Sequence, residues 1–222
     1  MYAGRWHRDL GNVVGVNDTD KYYDTMAPAL CRRYEEAVPA EPLALVSSVM
    51  PRNGHILEMG CGSARDGALL FTKGFRWWGL DRSSAMVCEA IHLHPILRGR
   101  IMLADLRQPM PFAPGTFTGA FSFATFMHLE ADCVSRTLGQ LNCILQDGAP
   151  FVMSVPSHRP DVDANGISQD GRYFLPWLQG QWIKVLASAG FEVERCHHNS
   201  DSLSREITWL NIVARTGMGG LW

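Results

Sequence analysis

The sequence predicts an α/β fold: a doubly wound, mostly parallel seven-stranded sheet with an antiparallel C-terminal strand and helices on both faces. Three observations predict it. Short apolar runs alternate with stretches of helical periodicity from residue 55 onward. Glycines, or an Asp-Gly pair, punctuate the ends of several helical stretches: Gly74, Asp147-Gly148 and Gly190. The length of 222 residues, with 46% hydrophobic and 19% charged positions, suits one domain of this class. Such a chain buries roughly 70% of its unfolded surface and needs no disulfide staples.

The elements follow in order. Residues 1–17, with Gly4, Gly11 and Gly15, read as a loose arm. Residues 18–38 carry Tyr22, Met26, Leu30 and Tyr34 at helical spacing, and Pro28 predicts a break near Ala27. A short helix over 41–50 ends at Pro51-Arg52-Asn53-Gly54. The first strand is 55–59. A helix over 65–73 stops at Gly74, and a strand follows over 75–80. Ser83 caps a helix reaching residue 94. Strands over 100–103 and 119–123 come next, then a helix over 130–145 and a fifth strand over 150–155. A helix over 177–189 leads to closing strands at 191–196 and 206–214. Parallel sheets of this kind place their ligands at the carboxyl ends of the strands, so the site is sought there.

Charge and cysteine usage exclude several classes. A net charge of −2 and an isoelectric point near 6.4 do not suit a dedicated nucleic-acid binder, so nucleic acid is an unexpected partner. Six cysteines without a CxxC pair, and a first stretch lacking an apolar core, read as reduced thiols in the cytoplasm. No apolar run reaches membrane-spanning length, so no membrane partner is expected. His92/His94 and His197-His198 lack carboxylate or cysteine partners at ligand spacing, so no metal is expected.

Chemistry gathers at three successive strand ends. The first strand runs into Glu58-Met59-Gly60-Cys61-Gly62-Ser63-Ala64-Arg65-Asp66, where Gly60 and Gly62 allow a sharp turn and a close approach of ligand to backbone. Asp81 stands about 20 residues beyond that turn, where a carboxylate can accept both hydroxyl protons of a ribose. Asp105-Leu106 ends the third strand and offers an acceptor for an exocyclic amine beside an apolar surface.

This pattern resembles the class I, Rossmann-like S-adenosylmethionine-dependent methyltransferases over about residues 54 to 215. The motif of strand, acid, one residue and GxGxG reads here Ile56-Leu57-Glu58-Met59-Gly60-Cys61-Gly62-Ser63-Ala64, with Ala64 in place of the third glycine, a change that costs little if φ there stays negative. The resemblance implies S-adenosyl-L-methionine as cofactor and S-adenosyl-L-homocysteine as its product. It implies Glu58, Gly60 and Gly62 at the cofactor's amino-acid end, Asp81 on the ribose, and Asp105 with Leu106 at the adenine. Cys61, Arg65, Asp66, Arg82, Met86 and Phe123 complete the expected cofactor set. Tyr23, beside Tyr22, resembles the aromatic helix that closes over the cofactor in small-molecule members. Residues 1–53 then form an arm and helical lid over the cofactor site, and 54–222 the methyltransferase domain.

Methyl transfer needs a base only when the acceptor arrives protonated. His128, in the Phe126-Met127-His128-Leu129 loop after the fourth strand, is the candidate base. Tyr173, Phe174 and Trp177 are candidates for an acceptor pocket, and Arg159, Arg172 and Arg205 for an acidic acceptor. The Asp-, Gly- and Ser-rich stretch over 156–176 reads as a substrate-side loop. The leading expectation is a small-molecule methyltransferase, as a monomer or homodimer. A tRNA wobble-uridine or protein methyltransferase, and a non-catalytic cofactor-binding protein, are the alternatives.

Overall fold

A computed structural model describes residues 16–37, 41–201, 203 and 205–217. Of the arm expected over residues 1–17, the first fifteen lie outside them, and Val16 and Asn17 belong instead to the first turn of a helix. The described residues form six α-helices and seven strands: α1 (Val16–Glu36), α2 (Glu41–Val49), β1 (His55–Met59), α3 (Arg65–Thr72), β2 (Arg76–Asp81), α4 (Ser84–Leu93), β3 (Ile101–Leu103), β4 (Gly119–Phe123), α5 (Ala131–Ile144), β5 (Pro150–His158), α6 (Gln179–Ser188), β6 (Phe191–Ser200) and β7 (Thr208–Thr216). The strands form one sheet in the order β3-β2-β1-β4-β5-β7-β6. The first five run parallel, and β7 inserts antiparallel between β5 and β6.

Alternation along each strand sorts the core onto the two faces. Leu57 and Met59 of β1 pack with α5 and α6 through Leu138, Leu141, Trp182 and Leu186. Ile56 packs on the opposite face, with Trp77, Phe121, Leu43, Val46 and Leu70. Both faces are covered, as a mostly parallel sheet requires. Helix α1 lies apart from both clusters. Its own buried cluster is small: Ala27 and Cys31 against Met86 of α4.

Two sequence expectations need correction. Helix α1 does not break near Ala27 but runs through Pro28. Pro28 and Asp24, whose carbonyl loses its partner, are both exposed, so water can satisfy that carbonyl. Helix α6 starts at Gln179 rather than at residue 177. Trp177 lies before the helix, its ring edge-on to Trp182 at 4.9 Å.

Candidate functional site

The tips of β1, β2 and β3 converge beneath α1 around a cavity of about 300 Å³. The fourteen residues expected to hold the cofactor or to act as base all line it: Tyr23, Glu58, Gly60, Cys61, Gly62, Arg65, Asp66, Asp81, Arg82, Met86, Asp105, Leu106, Phe123 and His128.

The turn after β1 is left-handed at Gly60 (φ 73°), Gly62 (φ 54°) and Ala64 (φ 61°). A Cβ on Gly60 would collide with the Thr125 side chain, whereas one on Gly62 would meet nothing nearer than Met86 Cε at 3.5 Å. Backbone at Gly62 is therefore bare toward the cavity, which suits a ligand lying against it. Ala64 departs from the sequence expectation, since its φ is positive. A left-handed alanine costs roughly 1–2 kcal/mol.

Glu58 is buried, and its Oε2 accepts from the Trp77 indole N–H at 2.8 Å. Trp77 fits only because its ring crosses Gly67 and Gly79, where a Cβ would strike it. Burial, reinforced by the nearby Asp66 charge, pushes the Glu58 carboxyl well above its usual range against the pull of Trp77 and Arg65. Asp81 accepts from Gly62 N–H at 2.8 Å and from Ser83 N–H at 2.9 Å. Burial still raises its carboxyl, because these backbone bonds only partly offset the loss of water. Arg65 and Asp66 pair with each other at 2.8 Å.

At the β3 tip, Asp105 is already engaged. Arg107 donates to both of its oxygens and Arg82 Nε bonds it at 2.9 Å. Asp20 of α1 joins the same cluster through Arg82 and Arg107. Burial works against the Asp105 charge, but the Arg107 bonds outweigh it and its carboxyl is lowered. An adenine amine at Asp105 would share the carboxylate with two guanidinium groups.

His128 sits at the β4 tip. Its Nδ1 lies 2.6 Å from the Tyr173 carbonyl, which fixes the proton there, so Nε2 accepts from the Tyr23 hydroxyl at 3.0 Å. Burial holds the imidazole down at about 3, with Arg172 and Arg159 adding to the effect and the Tyr173 carbonyl opposing it. Both ring nitrogens are committed, so the arrangement does not suit a general base. Arg172 extends the chain by donating to Tyr23 Oη at 3.4 Å, and its guanidinium lies 4.4 Å over the Tyr22 ring.

The expected acceptor lining is also revised. Tyr173 and Phe174 are buried, and Trp177 packs on Trp182, so none of the three lines the cavity. Arg159 and Arg172 pair with Asp161 and Asp170, two residues away in each case, while Arg205 does line it. The sequence reading missed Thr19, Asp20 and Asp24 on α1, Arg107, and a wall of Asn199, Asp201 and Trp209 from the β6–β7 hairpin. The Asp201/Arg205/Trp209 spacing of four was the available signal, because it pairs opposite charges and then an aromatic at the mouth of a strand.

Comparison with known proteins adds the rest. A family model described as a methyltransferase domain matches residues 56–148. The chain is similar to the 18S rRNA (guanine-N(7))-methyltransferase of Bos taurus, 36% identical over 75 residues, covering 34% of this chain and 26% of that protein. It is similar to the 18S rRNA (guanine(1575)-N(7))-methyltransferase of Saccharomyces cerevisiae, 34% identical over 119 residues, covering 49% of this chain and 42% of that one. The matches thus span less than half the length of these relatives. The fold superposes on the 1,6-didemethyltoxoflavin-N1-methyltransferase of Burkholderia thailandensis, solved with bound 1,6-didemethyltoxoflavin and S-adenosylhomocysteine, with a TM-score of 0.73 at 15% identity over 95% of this chain and 93% of that one.

These two relatives overturn two expectations. They are named for a ribosomal RNA substrate, against a small-molecule acceptor and against nucleic acid as an unexpected partner. Whole-chain charge was the misleading observation, because a sum near zero averages away local clusters.

Proposed function

Because the chain carries the methyltransferase domain of the class I, Rossmann-like S-adenosylmethionine-dependent family, we propose that it methylates guanine N7 in small-subunit ribosomal RNA. The observation that carries this reading is the state of His128. Its Nδ1–H is spent on the Tyr173 carbonyl and its Nε2 lone pair on the Tyr23 hydroxyl. A site whose histidine accepts no further proton suits an acceptor that brings none. Guanine N7 presents a free ring lone pair at neutral pH, so positioning and exclusion of water supply the rate.

The residues fit the cofactor. Bare backbone at Gly62, the Asp81 carboxylate and the apolar faces of Leu106 and Met86 line one half of the cavity. Gly60 and Gly62 would lie under the amino-acid end, with Glu58 steadying that loop through Trp77. Asp81 would take the ribose hydroxyls. When bound, S-adenosylmethionine would supply an electrophilic methyl group to the acceptor's lone pair, with sulfur as the leaving group. Helix α1 closes the cavity from above, and we read residues 1–53 as arm and lid.

The test is transfer of labelled methyl to a small-subunit rRNA transcript, followed by nuclease digestion and identification of the labelled nucleoside. The expected product is 7-methylguanosine. Label on another atom, or none from a protein that binds S-adenosylhomocysteine, would overturn the reading.

A further inference from the structure

The cavity has two halves. One lies over β1, β2 and β3 and is taken up by the cofactor residues. The other lies over β4, β5, β7 and β6, where Thr125, Ser154, Trp209 and Asn199 stand at the same edge of the sheet. Trp209 is the residue of β7 paired with Pro156 of β5 and Asn199 of β6, so its place is fixed by strands on both sides.

The aromatic groups around the cavity differ in what they have left to offer. Tyr23 and His128 contact each other, and Phe123 packs against Phe121 at 5.1 Å. Tyr34 stands beside Gly62, in the cofactor half. Trp209 is half-buried and packs in part against the core cluster that contains Leu210 and Ile212, and among the described residues no aromatic ring or guanidinium stacks on its indole. Its orientation is set by a bond from Nε1–H to Asp201 Oδ1 at 2.8 Å. Asp201 is in turn saturated: its two oxygens also accept from the Leu203 and Arg205 backbone N–H groups and from the Arg205 guanidinium at 2.9 and 2.7 Å. A carboxylate with five donors is not available to a substrate. It holds the indole.

With its only polar atom spent, Trp209 offers an acceptor its π-face alone. A flat ring stacks on such a face without sequence-dependent hydrogen bonds. The face also discriminates by charge, since indole has the strongest attraction for cations among the aromatic side chains. A guanine methylated at N7 becomes a cationic ring. Resting on the guanine-N7 reading above, we propose that Trp209 is the stacking platform for the acceptor base and favours its methylated, positively charged form, with Asp201 as the positioning residue that fixes the indole plane.

The experiment is calorimetric titration of the full chain, saturated with S-adenosylhomocysteine, with guanosine 5′-monophosphate and with 7-methylguanosine 5′-monophosphate. The wild type should bind the methylated nucleotide about tenfold more tightly, the span of one cation–π contact at a partly desolvated site. Trp209→Leu should erase that preference while S-adenosylhomocysteine affinity stays within about twofold. Trp209→Phe should retain part of it, and decides the matter if the leucine variant fails to fold. Asp201→Asn should lessen the preference without removing it. A wild type that does not discriminate, or a Trp209→Leu variant that still does, overturns the proposal. The rRNA transfer assay reads the proposed function separately: discrimination without transfer sinks that function and keeps the platform, and transfer with unchanged discrimination in Trp209→Leu does the reverse.

Discussion

At the scale of single residues, the site depends on buried groups whose partners come from elsewhere in the chain. Trp77 crosses the open faces of Gly67 and Gly79 to reach Glu58. Gly79→Ala should therefore cost about 1–3 kcal/mol through overpacking, read as a lowered denaturant midpoint. Glu58 has a folded-state carboxyl raised by burial, so its contribution to stability is full below the unfolded value and is lost as pH rises. Glu58→Gln keeps an acceptor for Trp77 and should melt higher than wild type at pH 8, with the two converging near pH 4. His128 has the opposite sense. The unfolded chain takes its proton near 6.5 and the folded one only at about 3, so stability should fall by up to about 1.4 kcal/mol per pH unit below 6.5. His128→Gln should flatten that slope in melts between pH 7 and pH 5. Glu58, Gly60, Gly62 and Asp81 were legible in sequence because a strand-to-helix turn against a ligand dictates those residue types locally. The roles of Trp77, and of the hydroxyl that quenches His128, were not legible, because each depends on a partner 19 or 105 positions away.

Among the elements, α1 stands out for how it is held. Its buried apolar cluster is Ala27 and Cys31 against Met86, with Tyr23, Tyr34, Ala85 and Leu93 half-buried around it, and polar contacts tie it down further. Asp20 meets Arg82 and Arg107, Asp24 accepts from Ser83 at 2.6 Å, and the Thr19 hydroxyl accepts from Tyr173 N–H at 2.7 Å. Such contacts are weak in water and screened by salt, so α1 is drawn from the low-stability end of the molecule. Amide exchange in α1 should be several-fold faster than in α5, faster again in 0.5 M salt or in Asp20→Ala, and slowed by S-adenosylhomocysteine. Exchange in α1 that matches α5 under all of these conditions would refute the lid reading. Strand and helix order could be read from the sequence because periodicity records which face is buried. The break expected at Pro28 failed for a related reason: periodicity and proline together do not say which side of a helix meets water.

For the whole molecule, the three-strand convergence makes a direct prediction about affinity. Asp81→Ala removes the acceptor for the Gly62 and Ser83 N–H groups together with the expected ribose partner, and should weaken S-adenosylhomocysteine binding by about 1–3 kcal/mol in calorimetry. Of the acceptor half only Arg205 was picked out in the sequence, because that half is assembled from a hairpin far from the glycine turn and net charge carries no positional information. The sheet order has one further consequence, for how the chain folds as it is made. Strand β7, which follows all the others, sits inside the sheet between β5 and β6. Until Thr216 has left the ribosome, β5 presents a naked hydrogen-bonding edge of nine residues that includes Phe151, Val152 and Val155. A nascent chain of this protein should accordingly depend on chaperones late in synthesis, and aggregation of arrested chains should drop once β7 is included.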